Sequence, residues 1–99
     1  MEKIYYVYGH TDKAGNLVYI GQGKGMRAWS RNRSQNWRDH FKDDRPEVSM
    51  IALNLTQQES WDLERKIIMQ YKADGIWLLN FPQPHPLFPQ VSERHGPIL

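Results

Sequence analysis

The stretch Val18-Tyr19-Ile20-Gly21-Gln22-Gly23-Lys24-Gly25-Met26-Arg27 constrains this chain more than any other. It begins as a strand of β-branched and aromatic residues, meets three alternate glycines and leaves them carrying cations. Strand, glycine loop and helix together present backbone N–H groups and positive side chains to a phosphate. A tight connection that merely needs φ > 0 would use the same glycines. The loop is neither a dinucleotide fingerprint nor a P-loop. Met26 stands where the third glycine would be, and no Gly-Lys-Ser/Thr is present.

The other segments supply elements around it. Lys3 to Tyr8 is rich in aromatic and β-branched residues and reads as a strand. Gly9 to Asn16 holds turn formers, so this strand and Leu17 to Ile20 pair as an antiparallel hairpin. After Gly25 the pattern turns helical, with Met26, Ala28 and Trp29 as inward positions. A second helical piece spans Gln35 to Lys42, with Trp37 and Phe41 on one side. Asp43 to Pro46 stops it, and Glu47 to Leu53 reads as a third strand.

The clearest helix follows. Thr56-Gln57-Gln58-Glu59 has the form of a capping box, and Gly75 marks a stop just past Ala73. At about 100° per residue, Trp61, Leu63, Ile67, Ile68 and Tyr71 share one apolar face. Glu64 falls near its centre. A carboxylate aimed at a core is costly unless something pairs with it. It is either one half of a buried ion pair or hydrogen bond, or a ligand for a hard cation beside a cleft. Mg²⁺ takes one or two carboxylates and completes its shell with water and phosphate oxygens.

Ninety-nine residues make one domain, expected at 1–80, followed by a proline-rich tail over 81–99. Leu87, Phe88, Val91, Ile98 and Leu99 give that tail apolar side chains to pack on the domain. The absence of Cys excludes disulfides and thiolate zinc sites. No signal peptide or spanning segment is evident, so an intracellular, cytoplasmic protein without a membrane association is expected. From Gln22 to Arg45 there are seven Lys and Arg against three Asp, a local charge of +4 where the whole chain carries +2. Such a patch is an electrostatic footprint for a polyanion, or else a solvated surface. His10, His85 and His95 show no metal-ligand spacing.

Taken in order, these residues form a pattern: Tyr6-Val7-Tyr8, Tyr19-Ile20-Gly21, Arg27, His40, Leu63-Glu64 and Leu79-Asn80. The pattern resembles the GIY-YIG nuclease superfamily from about Ile4 to Asn80. Tyr6 stands where that family has the first Gly, while Tyr8 keeps its tyrosine. The resemblance implies an α/β fold of the α+β type, a three-stranded antiparallel sheet flanked by helices. It implies an endonuclease that hydrolyses DNA phosphodiesters with one divalent metal, Mg²⁺ or Mn²⁺. Carried over by position, Glu64 is the metal ligand, Arg27 the phosphate clamp, and Tyr8 and Tyr19 the motif tyrosines. His40 matches the family histidine, Asn80 a structural asparagine near the site, and Gly21 the motif glycine. Lys24 lies where a basic residue often follows the second motif. Arg31, Arg33 and Arg38 extend the nucleic-acid contact.

The chemistry is self-consistent. In-line attack of water on phosphorus needs charge neutralisation and a proton acceptor. A tyrosine with a pKa near 10 is a poor base at neutral pH unless cations lower it or a histidine relays the proton. Tyr8 is the preferred activator, with Tyr19 supporting the water. The expected site is one cleft, with Tyr19 and Arg27 as one wall and Glu64 as the other. A catalytically silent nucleic-acid-binding module on the same fold is the main alternative. A protein-interaction domain with the tail as a docking peptide is a third. DNA rather than RNA rests on the resemblance alone, and a homodimer or protein partner would supply targeting. Trp29 and Trp37 are either base-stacking residues or core.

Overall fold

The structure, a computed structural model, describes residues 2–81. Expectations for the tail from Pro82 onward lie outside those residues. The order of elements is β1 (Tyr5–Thr11), β2 (Leu17–Gly23), a 3₁₀ turn (Arg27–Trp29), α1 (Gln35–Phe41), β3 (Glu47–Leu55) and α2 (Gln57–Ala73). The strands form one antiparallel sheet in the order β2-β1-β3, so the fold is α+β. No helix among the described residues is long and apolar enough to cross a membrane.

Alternation gives the sheet two unlike faces. The register pairs Tyr6 with Gly23, Tyr8 with Gly21 and His10 with Tyr19. These residues therefore share a face, and the 3₁₀ turn and α1 cover it through Ala28 and Trp37. Val7 and Ile20 point the other way and pack with Leu78 beneath Leu63, Ile67, Ile68 and Tyr71 of α2. Trp37 and Phe41 join Val18 and Leu79 in a further part of the core.

The capping box at α2 is complete. Thr56 Oγ1 accepts from the Glu59 amide at 3.1 Å, and Glu59 Oε1 accepts from the Thr56 amide at 2.8 Å. Gly75 takes a positive φ of 76° at the far end. Trp61, expected on the apolar face, is 45% exposed. The buried stripe instead passes through Ser60, whose hydroxyl donates to Gln22 Oε1 at 3.0 Å and ties α2 to β2. The helical pattern after Gly25 yields only the short 3₁₀ turn, because Ser30 is already extended.

The glycine loop is shorter than expected. Gly21 and Gly23 belong to β2, and only Gly25 has a positive φ, 58°. They are glycines because neighbouring side chains fill the space of a Cβ. One on Gly21 would stand 2.4 Å from Tyr8 Oη, and one on Gly23 would stand 2.7 Å from Arg27 Cβ.

Candidate active site

The site is built on the polar face of the sheet. Tyr8, in the middle of the central strand, is 0% exposed. Its ring lies across the bare backbone of Gly21, in tilted contact with Tyr19 at 6.4 Å and edge-on to Tyr6 at 5.8 Å. Tyr19, on the outer strand, is half-buried. Burial raises the Tyr8 phenol above its ordinary pKa; Arg33 pulls it down and Tyr19 adds to the rise.

Arg33 does not lie on the surface with the other cations. It is 7% exposed, with its guanidinium about 5.3 Å from the Tyr8 ring, 5.4 Å from Tyr19 and 5.7 Å from Trp37. It donates to Tyr8 Oη at 2.5 Å, to the Arg27 carbonyl at 2.6 Å and to the Ser30 carbonyl at 2.9 Å. Among the described residues no carboxylate pairs with it.

His10 completes this layer and is a residue the sequence pattern passed over. Its Nε2–H donates to the Ala28 carbonyl at 2.7 Å, and its Nδ1 accepts from Trp37 Nε1 at 3.1 Å. The ring is neutral and stacks on Tyr19 at 5.5 Å. Burial lowers its pKa to about 4, the Ala28 hydrogen bond opposes this, and the charges of Arg33 and Arg27 add to the lowering. The usable signal was phase: Tyr6, Tyr8 and His10 alternate onto one face. Tyr6, which stands where the motif has a glycine, has a structural task of its own. Its hydroxyl donates to the Gly25 carbonyl at 2.6 Å and accepts from the Ala28 amide at 3.0 Å, so it pins the turn that carries Arg27.

The other cations are more open. Arg27 is exposed and reaches the Asn32 carbonyl at 3.3 Å. Lys24 lies 5.5 Å from the Tyr5 ring. Arg31 crosses the Trp37 ring and donates to the Asp44 carbonyl at 3.0 Å and the Lys42 carbonyl at 2.5 Å. Arg38 donates to the Arg33 carbonyl and, at 2.7 Å, to Gln35 Oε1. Trp37 is core, whereas Trp29 is 52% exposed.

His40, Glu64 and Asn80 lie elsewhere. His40 Nε2 is 3.0 Å from Asp12 Oδ2, and the two residues line a cavity of about 550 Å³ with Leu17, Val18, Tyr71 and Trp77. No hydrogen bond or ring contact links His40 to Tyr8, Tyr19 or Arg27. Asn80 accepts from the Ile20 amide at 2.9 Å and donates to the Ile20 carbonyl at 2.7 Å, binding the outer edge of β2.

Glu64 is half-buried on α2, whose apolar side chains sit on the face opposite Tyr8 and Tyr19. Its carboxylate has no hydrogen-bond or ion-pair partner among the described residues, and burial alone raises its pKa. The single cleft expected from the sequence is thus divided between two faces, which meet around the outer strand β2. No three His, Cys, Asp or Glu side chains gather among the described residues. A divalent cation at Glu64 would take this one carboxylate and fill its shell from water and substrate phosphate, the mode that suits Mg²⁺. An unpaired, partly desolvated carboxylate suits such a cation because the ion relieves the charge. Comparison with protein-family models, curated proteins and solved structures finds no match to this chain.

Proposed function

We propose that this chain is a divalent-metal-dependent endonuclease that hydrolyses DNA phosphodiester bonds on a GIY-YIG-type fold. The observation that carries the reading is the lone carboxylate of Glu64. The bland account of an acidic residue on an apolar helix face is a buried ion pair. Among the described residues no such partner exists. The antiparallel sheet order and the ordered Tyr, Arg and Glu support the same reading.

The reading requires the scissile phosphate to lie around the outer edge of β2, beyond the part that Leu79 and Asn80 cover. Tyr19 and Arg27 approach from one face and Glu64 from the other. A Mg²⁺ ion held by Glu64 would neutralise charge on the phosphate and on the leaving oxygen. Arg27 offers a planar fork to two phosphate oxygens. Tyr19 is the motif phenol with access to solvent, so it orients the attacking water. Tyr8 is enclosed and supports it from below. His40 stands off the site with Asp12 and takes no step here. Lys24, Arg31, Arg38 and Trp29 remain to guide the nucleic acid.

The test is nicking of supercoiled plasmid with Mg²⁺, Mn²⁺ or EDTA. Cleavage should vanish with EDTA. It should fall by at least the roughly 10²–10³-fold that losing one electrostatic stabiliser costs in Glu64→Ala and in Arg27→Ala, with the fold intact by circular dichroism. Equal activity of wild type and Glu64→Ala rejects the reading.

One observation favours the second reading, a non-catalytic nucleic-acid-binding module: Glu64 and the tyrosines occupy opposite faces. Salt-sensitive binding that persists in Glu64→Ala, with no cleavage by either protein, selects it. A panel of duplex, branched and single-stranded DNA beside RNA then defines the substrate.

A further inference from the structure

Among the described residues, Arg33 is a buried cation without a carboxylate partner. Its surroundings are neutral: two carbonyls, one phenol and three aromatic rings. Ring faces return part of the desolvation cost of a guanidinium, but they do not neutralise its charge. A residue 7% exposed cannot grip a nucleic-acid backbone as a surface arginine does.

Its contacts converge on the three residues that matter most on this face. The bond to Tyr8 fixes the phenol, and the ring contact steadies Tyr19. The bond to the Arg27 carbonyl fixes the backbone of the turn that presents Arg27. The bond to Tyr8 also has a fixed direction. A guanidinium only donates and does not lose its proton in a protein, so Tyr8 Oη is always the acceptor. The Tyr8 hydroxyl proton is therefore kept for some other acceptor.

We propose that Arg33 is the positioning residue of the phosphate site. It holds Tyr8, Tyr19 and the Arg27 turn in one arrangement. This rests on the endonuclease reading for its catalytic consequence, though not for its geometry. Lysine cannot replace it, because an ammonium has no planar fork to reach three acceptors while stacking on rings.

Two measurements test the proposal. The first is cleavage kinetics of Arg33→Lys and Arg33→Met against wild type. Misplacing reacting groups by an ångström or so costs about 100-fold, so kcat should fall by about that factor while KM stays within about threefold. Arg38→Ala should show the converse, weaker binding with a salt slope reduced by about one. Wild-type kcat in Arg33→Lys overturns the proposal, as does a change in KM alone, which would make Arg33 an ordinary backbone contact.

The second measurement needs no cleavage. In Glu64→Ala protein, aromatic NMR resonances are compared with and without Arg33→Lys. Those of Tyr8 and Tyr19 should move while those of Tyr71, on the other face, stay. Unmoved Tyr8 and Tyr19 resonances overturn the proposal. If wild type does not cleave but these shifts occur, the endonuclease reading fails and the positioning role of Arg33 stands. Circular dichroism of Arg33→Lys establishes that it folds.

Discussion

The two faces of the sheet solve different problems. On the tyrosine face, buried polar groups are matched one to another: His10 with Ala28 and Trp37, Arg33 with Tyr8, Arg27 and Ser30, Tyr6 with Gly25 and Ala28. On the α2 face, the contacts are chiefly apolar, and Glu64 is left without a partner among the described residues. A satisfied polar network fixes geometry, because each member is costly to move. An apolar layer with one loose charge fixes little about that charge and leaves it open to a ligand. One face supplies position and the other supplies an unmet electrostatic demand.

The largest effect is expected at Trp37, in the polar face. Trp37→Ala removes a fully buried ring and the donor to His10, and should destabilise the protein by about 3–5 kcal/mol in urea unfolding. A loss below about 1 kcal/mol would mean that the polar face is not the rigid one. Gly21→Ala is next. Its new methyl must displace the enclosed Tyr8 phenol, an overpacking worth about 1–3 kcal/mol. On the endonuclease reading, cleavage by this variant should fall with the Tyr8 and Tyr19 geometry even where the protein remains folded.

A third test uses pH. His10 has a pKa of about 4 in the folded state, below its ordinary value of 6.5. Between these values the unfolded chain binds a proton that the folded chain refuses, so stability declines as pH falls from 6.5 to 4 and then levels. The loss should be on the order of 2 kcal/mol, somewhat less than the full proton-affinity difference because solvent screening reduces it. Thermal melts should show the slope, and His10→Phe should flatten it in that interval. The smallest effect is expected at Glu64. Its folded pKa is raised, so the carboxylate weakens the fold as pH rises through that pKa. Glu64→Gln should therefore melt slightly higher at neutral pH and, on the endonuclease reading, show no Tm rise with Mg²⁺ where wild type does. A lower Tm in the variant would reveal a hidden partner and remove the contrast between the faces.

Much of the frame was legible in the residues. The capping box at Thr56, the stop at Gly75 and the third strand depend on local chemistry, and local chemistry is what a sequence records. The strands ran longer than expected because pairing carried β1 through Gly9 to Thr11. The glycines at 21 and 23 were misread as loop for a physical reason. A glycine answers equally to a positive φ and to a crowded Cβ, and only the neighbour that crowds it distinguishes the two. For Gly21 that neighbour is Tyr8, on another strand. Arg33 was illegible in the same way. Its sequence neighbours are Asn32 and Ser34, and its burial comes from residues far along the chain, Tyr8 above all.

The side chain of Asn80 meets the amide and carbonyl of Ile20 as the backbone of an adjoining strand would. Its amide stands in for one residue of a strand, and Leu79 extends the contact by donating its N–H to the Val18 carbonyl at 2.6 Å. This plug closes the Val18 and Ile20 positions of that margin to ribbon-like pairing with another chain. Among the described residues the opposite margin, along β3, carries no such plug, and lateral growth of the sheet is directed there.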